Sequence, residues 1–281
     1  MRIGFIGAGK VGFTLGKYFV GNNIRVSGYY SRNTDSANKA AEFTGSSQFE
    51  ELSGLISNSD AIFVTVTDDA IREVFDKLKQ YDLTGKQLCH CSGAMSAKDA
   101  FPEIEIFGAE GYSLHPLFPI NSKYDSYLTI DQAWFCIEGK GDHLEDWKVF
   151  FEKLGNHVRV LSSDNKTIYH AACTIASNLV CALISESTEI LEKCGFSEKE
   201  ALCALEPLIS TNINNILKYG VAAALTGPVE RCDYFTVQKH LSCFDDRIEQ
   251  ELYRAVSLKL VSIAKKKHPD KDFSQLDLIL S

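Results

Sequence analysis

The feature that most constrains this chain lies at its start. The apolar run Arg2-Ile3-Gly4-Phe5-Ile6 passes without a break into Gly7-Ala8-Gly9-Lys10-Val11-Gly12. A continuous apolar run is what a central parallel strand needs, because both of its faces are covered. The three glycines then have separate physical roles. Gly7 permits the tight turn, Gly9 lets backbone approach a pyrophosphate, and Gly12 allows close packing of helix on strand. The first amides of the helix, with its positive end, face the anion. Such a motif is common by itself, but here its setting supports it. It opens the amphipathic stretch Val11 to Val20, which is followed by a turn at Gly21-Asn22-Asn23 and a second strand, Ile24 to Tyr30. The competing reading is a glycine turn that binds nothing.

The end of that second strand discriminates between coenzymes, because a carboxylate there binds the ribose diol whereas a cation accommodates a 2′-phosphate. The chain reads Tyr29-Tyr30-Ser31-Arg32-Asn33, with no carboxylate before Asp35. A hydroxyl and a guanidinium fork suit a phosphate dianion, so the expected cofactor is NADP(H). The bland alternative makes Arg32 a solvated loop cation. Further on, Asp60 to Ile71 reads as a buried strand ending in small polar residues, which puts Thr65, Val66 and Thr67 toward the cofactor. Gln87 to Cys91 is the next strand and ends in Ser92-Gly93. A short strand around Ile104 to Gly108 precedes a loop, Gly111 to Leu117. These loops are expected to line the nicotinamide side. His115 there either donates to a substrate carbonyl or carboxylate, or serves as a structural histidine before Pro116.

A length of 281 residues fits two domains, and the boundary is expected near Ser162: a dinucleotide domain over 1–162 and a helical substrate and dimerisation domain over 163–281. The fold class is therefore α/β, with an N-terminal Rossmann domain and an all-α C-terminal domain. The net charge of −8 repels phosphate backbones and anionic lipid, which disfavours nucleic acid and membrane as partners. The N-terminus lacks the pattern of a signal peptide, and no segment is expected to reach transmembrane length. The nine cysteines form no CxxC pair or regular framework and read as reduced thiols of a cytoplasmic protein. In Cys89-His90-Cys91, strand alternation points neighbours to opposite faces, which favours a core strand over a metal site. No metal is expected.

Several blocks recur in an order that resembles one family. They are Gly7 to Gly12, Val66-Thr67-Asp68-Asp69, His90-Cys91-Ser92-Gly93, Ser113-Leu114-His115-Pro116, Tyr169-His170-Ala171-Ala172 with Ala176-Ser177-Asn178, and Leu225-Thr226-Gly227-Pro228 with Arg231, Asp233, Thr236 and His240. Over nearly the whole chain this is similar to the Rossmann-like NADP oxidoreductases that carry a second domain of unknown function, DUF2520. They are distant relatives of the 6-phosphogluconate dehydrogenase (C-terminal-like) and ketopantoate reductase group. The resemblance implies an NADP(H)-dependent oxidoreductase, with 2-dehydropantoate (ketopantoate) as the leading named substrate. One departure is Arg231-Cys232-Asp233, where the family often has Arg-Gly-Asp. If that glycine serves a positive φ angle, Cys232 alters the turn and the roles of Arg231 and Asp233 with it.

The second half reads as helical. Asp142 to Leu154 is a helix, His157 to Leu161 a short strand, and Lys166 to Lys193 one long, largely buried helix free of proline and glycine. In this superfamily such a helix commonly forms the core of a homodimer. Lys166, His170 and Ser177 share a face, and Asn178 follows. The resemblance aligns the pair Lys166 and His170 with a lysine and an asparagine four residues later that orient and protonate a carbonyl. A reductase must protonate the oxygen as hydride reaches carbon, and His170 is the expected acid, with Lys166 or Asn178 orienting the substrate. A core histidine bonded to a backbone carbonyl is the alternative. Arg231 is the candidate fork for a substrate carboxylate, unless it is tied up in an intersubunit pair with Asp233. Ser177 joins His115 and Arg231 as a candidate substrate contact. Phe244 to Lys267 is amphipathic, and its terminal Lys265-Lys266-Lys267 complements a helix C-terminus. Two other readings remain open: an imine reductase of the pyrroline-5-carboxylate reductase type, and a non-catalytic NADP-binding regulatory protein.

Overall fold

The opening apolar run is β1 (Arg2–Ile6), and the glycine turn leads into α1 (Lys10–Gly21), as the pattern predicts. The computed structural model describes residues 1–281, which divide into two compact units, Met1–Ser177 and Asn178–Ser281. In the first unit there follow β2 (Arg25–Tyr30), α2 (Thr34–Thr44), β3 (Ser47–Gln48), α3 (Leu52–Ser57), β4 (Ala61–Val64), α4 (Asp68–Leu78), β5 (Gln87–His90) and α5 (Ala97–Ala100). The unit continues with β6 (Glu110–Leu117), β7 (Trp134–Lys140), α6 (Leu144–Lys153), β8 (His157–Val160) and α7 (Lys166–Ala176). The second unit is helical: α8 (Asn178–Lys193), α9 (Glu198–Tyr219), α10 (Val221–Ala224), α11 (Tyr234–Ser242), α12 (Arg247–Lys267) and α13 (Ser274–Leu280).

The eight strands form one sheet in the order β3-β2-β1-β4-β5-β6-β7-β8, parallel except between β6 and β7. The chain winds outward from β1 to β3, then crosses back to place β4 on the other side of β1. At that switch point the helices after β1 and β4 diverge and leave a crevice beyond the carboxyl ends of the two strands. Both faces of the central strands are covered, which is why they read as unbroken apolar runs. On one face Phe5 and Phe63 meet Tyr29, Phe19 and Trp147, with ring centroids 5.1 Å apart for Phe5–Tyr29 and 5.5 Å for Phe63–Trp147. On the other, Ile6, Ile62 and Val64 pack with Leu55 and Phe75.

Four expectations are corrected. The segment around Ile104 is a short 3-10 turn, Ile104–Phe107, and the strand lies later, at Glu110–Leu117, so His115 is on β6 and not in a loop. Tyr112 and Leu114 enter the core there, and the ladder to β7 fixes His115 opposite Cys136. Pro116 lies past the last residue of β6 that pairs with β5, where the missing amide leaves no gap in a ladder. Secondly, the division falls after Ser177 instead of near Ser162, because α7 inserts Lys166 between Ser92 and Ser113 of the first unit.

Thirdly, the single helix expected over Lys166 to Lys193 is interrupted. Ser177 leaves helical geometry (φ −121°, ψ −73°), and its Oγ donates to the Cys173 carbonyl at 2.8 Å. A serine bonded back to the preceding turn competes with the helix ladder. Nor is the helix largely buried: Ile168 and Ile175 are 70% and 61% exposed. Fourthly, the stretch Ser163–Lys193 contains an 18-residue window of mean hydropathy 1.5 and passes the length and composition test for a membrane span, contrary to the expectation that no segment does.

In the second unit Val237, Leu241, Val261, Phe273 and Leu276 form the core. Cys232 has φ +62°, a conformation normally reserved for glycine, so the substitution is accommodated with the backbone still left-handed. Asp233 caps α11 through the Thr236 amide (3.1 Å) and hydroxyl (2.7 Å), and does not form an ion pair with Arg231. Lys267 donates to the Leu225 carbonyl at 2.7 Å and Lys265 pairs with Asp277 at 2.7 Å, so the terminal lysines fasten α12 to its neighbours.

Phe63 lies where three aromatic contacts meet under the switch point, fully buried. Phe63→Ala is expected to cost about 3–5 kcal/mol, read as a lower urea midpoint at unchanged slope.

Candidate functional site

The glycine turn is braced from β4. Gly7 has φ +101°, and a Cβ there would meet the Thr65 carbonyl at 2.9 Å; one on Gly12 would meet the Gly7 carbonyl oxygen at 2.7 Å and Thr65 Oγ1 at 2.8 Å. The Thr65 hydroxyl donates to the Gly7 carbonyl at 2.9 Å. By contrast, a Cβ on Gly9 would come no closer than 3.8 Å to any protein atom. The fold itself does not require a glycine there; a ligand approaching the backbone does.

Beside the turn lies a cavity of about 290 Å³. It brings together Gly7, Ala8 and Gly9 with Ser31 and Arg32 and with Thr65, Val66 and Thr67. Lys10, Val11 and Gly12 form the first turn of α1 just beyond its wall. Ile6, Leu52 and Val74 supply an apolar surface for a flat ring, and Arg32 stands exposed at its end. Two carboxylates of α4, Asp69 and Glu73, sit near this cation. Lys77 binds Glu73 at 2.8 Å and holds its carboxyl below the ordinary range, and the Thr67 hydroxyl does the same for Asp69. Lys77 thus occupies Glu73 and leaves the Arg32 fork for an incoming anion. These residues fit a phosphorylated dinucleotide: amides at a helix start, a cleared backbone approach, an apolar slot and a guanidinium.

A second cluster surrounds Ser92-Gly93, past the end of β5. The Lys166 side chain is 1% exposed, and its ammonium donates to the Ser92 carbonyl at 3.0 Å and to Ser113 Oγ at 2.8 Å. Burial lowers its pKa, against the opposing pull of Glu138, Cys136, Cys91 and Asp68. The loop is held from its other side too: Ser92 Oγ donates to Asp68 at 2.6 Å and accepts from the amides of Ala94 and Met95. A Cβ on Gly93 would fall 2.6 Å from His170 Cδ2 and 2.9 Å from His115 Nε2, so both rings close on this glycine. His115 Nδ1 shares a hydrogen bond of 2.7 Å with the Tyr169 hydroxyl. Burial, followed by Lys166 and His170, pushes the His115 pKa down to about 3. Fully buried His90, whose Nδ1 accepts from the Ser92 amide at 3.1 Å, is likewise lowered to about 3, mainly by burial. Both imidazoles are neutral at ordinary pH.

Of the site residues expected from sequence, Ser92, Gly93, His115, Lys166 and His170 therefore meet in one cluster. Ser177 ends α7, Asn178 begins α8, and Arg231 is exposed on the turn before α11. Sequence reasoning gave no role to Tyr169, Ser113, Asp68 or Glu138. Tyr169 is three residues after Lys166, the spacing that puts it on the same face, and the Lys166 ammonium lies 5.6 Å from its ring centre. Glu138, on β7, is buried and accepts from the Ala97 amide and, at 2.6 Å, from Ser163 Oγ, which fastens the entry to α7.

An anion cradle at the switch point and a cluster of hydrogen-bond donors at the end of a neighbouring strand define a dinucleotide-dependent oxidoreductase. Residues 2–92 match the family described as NADP oxidoreductase, coenzyme F420-dependent, and residues 133–260 match the domain of unknown function DUF2520. Each match covers less than half of the chain, and together with the fold they support a Rossmann-like NADP oxidoreductase. Protein TM1727 from Thermotoga maritima is 27% identical, with a TM-score of 0.73 over 94% of this chain and 99% of that one. An imine reductase from Myxococcus stipitatus, solved in complex with NADP+, is 18% identical with a TM-score of 0.59 over 100% of both chains. A pyrroline-5-carboxylate reductase from Coxiella burnetii is 14% identical, with a TM-score of 0.56 over 94% of this chain and 97% of that one. The last two are likenesses of fold. No functionally curated protein matches the chain.

The two neutral histidines tie stability to pH. Their folded pKa of about 3 lies below the ordinary 6.5, so between these values the unfolded chain binds protons that the folded chain refuses. Stability is full above about pH 6.5 and is lost as the pH falls toward about 3. From about pH 7 to about pH 5 the loss is expected to be roughly 4 kcal/mol in urea titrations, and His115→Gln should remove about half of it. His143, half-buried beside Glu110, has a raised pKa and acts in the opposite sense, but the pair is screened by solvent.

Proposed function

We propose that this chain is an NADP(H)-dependent reductase of small carbonyl acids, with ketopantoate as the first substrate to test. One observation carries the reading: His115, His170 and the buried Lys166 ammonium are gathered around Gly93, past the carboxyl end of β5. A carbonyl oxygen gathers negative charge as its carbon is reduced, and donors fixed in a dry site stabilise that charge. Bound NADPH supplies the hydride. His170 delivers the proton to oxygen. Lys166 holds the Ser92-Gly93 loop and contributes positive charge, sharing with Asn178 the task of orienting the substrate. His115 and Ser177 contact the substrate, and Arg231 is assigned its carboxylate on chemical grounds, as an exposed guanidinium fork. In the cradle, Gly7 to Gly12 with Thr65 to Thr67 hold the pyrophosphate, Ser31 and Arg32 the 2′-phosphate, and Ser92 and Gly93 border the nicotinamide.

An imine substrate is the second reading. It is favoured by the likeness of fold to an imine reductase and to a pyrroline-5-carboxylate reductase. The panel that tests the proposal therefore includes 2-oxo acids and cyclic imines. NADPH oxidation is expected with an oxo acid and to drop about 100-fold in kcat in His170→Ala. Tight NADPH binding with no turnover of any compound would instead indicate a regulatory protein. Arg32→Ala is expected to weaken NADPH about 30-fold by fluorescence titration while changing NADH little, because only the phosphorylated ribose engages the fork.

The proposal extends to a homodimer. Leu208 and Leu217 on α9 are 68% and 80% exposed, and Leu179 and Leu183 on α8 are exposed as well. Apolar area of this extent on one helical unit marks an interaction surface. A cytoplasmic enzyme is part of the same reading, supported by the scattered spacing of the nine cysteines, which form no CxxC pair. Sedimentation is expected to give twice 31.2 kDa for the native chain and 31.2 kDa for the Leu183→Glu/Leu208→Glu variant.

A further inference from the structure

His115 has one committed nitrogen and one open one. Nδ1 is 2.7 Å from the Tyr169 hydroxyl, whereas Nε2 makes no hydrogen bond within the protein and lies where a side chain on Gly93 would strike it. Which nitrogen carries the proton decides what the open one can do. If Nδ1 carries it, Nε2 is an acceptor; if Tyr169 donates to Nδ1, Nε2 carries a hydrogen and is a donor.

The contact itself selects between the two. A phenol is a better hydrogen-bond donor than an imidazole N–H, and an unprotonated imidazole nitrogen is a much better acceptor than a phenol oxygen. The favourable arrangement is therefore O–H of Tyr169 to Nδ1 of His115. The surroundings keep both partners in the forms this needs. Burial raises the Tyr169 pKa, so the phenol keeps its hydrogen, and burial, with Lys166 nearby, keeps the imidazole neutral. Lys166 lies 5.6 Å from the Tyr169 ring centre and engages Ser92 and Ser113, so the ammonium does not replace the phenol at Nδ1.

We propose that Tyr169 is a positioning residue that locks His115 as the neutral Nε2–H tautomer, making this ring a fixed hydrogen-bond donor at Gly93 that selects an acceptor substrate. This rests on the reductase reading above and narrows it. A fixed N–H donor bonds a carbonyl or carboxylate oxygen and offers nothing to the N–H of a protonated imine. His115 remains neutral throughout and polarises the carbonyl without transferring a proton, which leaves protonation to His170.

The tautomer is measured directly by long-range nitrogen–proton correlation spectra of the 15N-labelled full-length chain, with the His115 signals identified by their loss in His115→Gln. The native protein is expected to show the neutral Nε2–H pattern for His115, unchanged between about pH 6 and about pH 8. In Tyr169→Phe the pattern is expected to become a mixture of tautomers. The kcat for the best oxo acid should fall about 10-fold, with KM for NADPH unchanged. An Nδ1–H pattern in the native protein overturns the proposal, and so does a Tyr169→Phe variant in which either the pattern or kcat stays as in the native chain. Should Tyr169→Phe fail to fold, the native pattern decides. If no oxo acid is turned over, the reductase reading fails on its own while the tautomer is still measured.

Discussion

The ammonium of Lys166 is the constraint on which the Ser92-Gly93 end of the first unit depends. A lysine 1% exposed gives up hydration that only close partners replace, and two of its three hydrogens are satisfied, by the Ser92 carbonyl and the Ser113 hydroxyl. Those partners come from the end of β5 and from β6, so placing one side chain draws α7 onto the sheet and sets the Ser92-Gly93 loop. The same charge keeps the neighbouring imidazoles neutral. His90 and His115 both feel Lys166 after burial, and a protonated ring beside a buried ammonium would add like charge in a medium that screens poorly. The position of the loop and the charge beside these rings are thus linked through one side chain.

How much of this was legible in the sequence depends on range. The strand–glycine–helix opening was fully readable because its requirements are local: an unbroken apolar run, a glycine at φ +101° and another where a Cβ has 2.7 Å of room. Arg32 was readable for the same reason, as the position at a strand end fixes what it faces. The Gly111 to Leu117 segment was misread because β6 is held as a strand by its neighbours β5 and β7, and a proline within it resembles a loop unless the end of β5 is known. The helix break at Ser177 leaves no mark in hydropathy or period, and the bond of its hydroxyl to the Cys173 carbonyl is one that Ser187 also makes, to Leu183, inside an unbroken helix.

Tyr169 shows the same limit at a finer scale. It lies beside His170 in a block the sequence had already marked, yet its partner His115 is 54 residues away, on a strand that the sequence had taken for a loop. Nothing along the chain indicates that a phenol and an imidazole will meet. At the Arg231-Cys232-Asp233 turn the expected change does not occur, because Cys232 keeps the left-handed backbone that a glycine would adopt. A residue at φ +62° is required there whatever side chain fills it, and cysteine bears the strain that glycine would have avoided.

Net charge also separates the two halves of the chemistry. At −8 the chain repels a dinucleotide carrying phosphates, or any other anion, at long range. That repulsion is screened beyond roughly 8 Å at physiological ionic strength, so recognition must come from contacts shorter than this. The fold supplies them in two forms. At the cradle, donors that carry no net charge, the amides of the α1 start, are supplemented by one guanidinium that Lys77 frees from its acidic neighbour Glu73. At Gly93, the neutral His115 ring and the His170 ring stand foremost while the Lys166 ammonium lies buried, out of solvent. An exposed lysine would lose most of its effect to water, whereas a buried one acts through a low-dielectric layer on whatever charge develops at the rings. A negatively charged protein can therefore favour anionic ligands without an exposed basic surface, provided that its few effective cations are shielded from water or paired away from its acids.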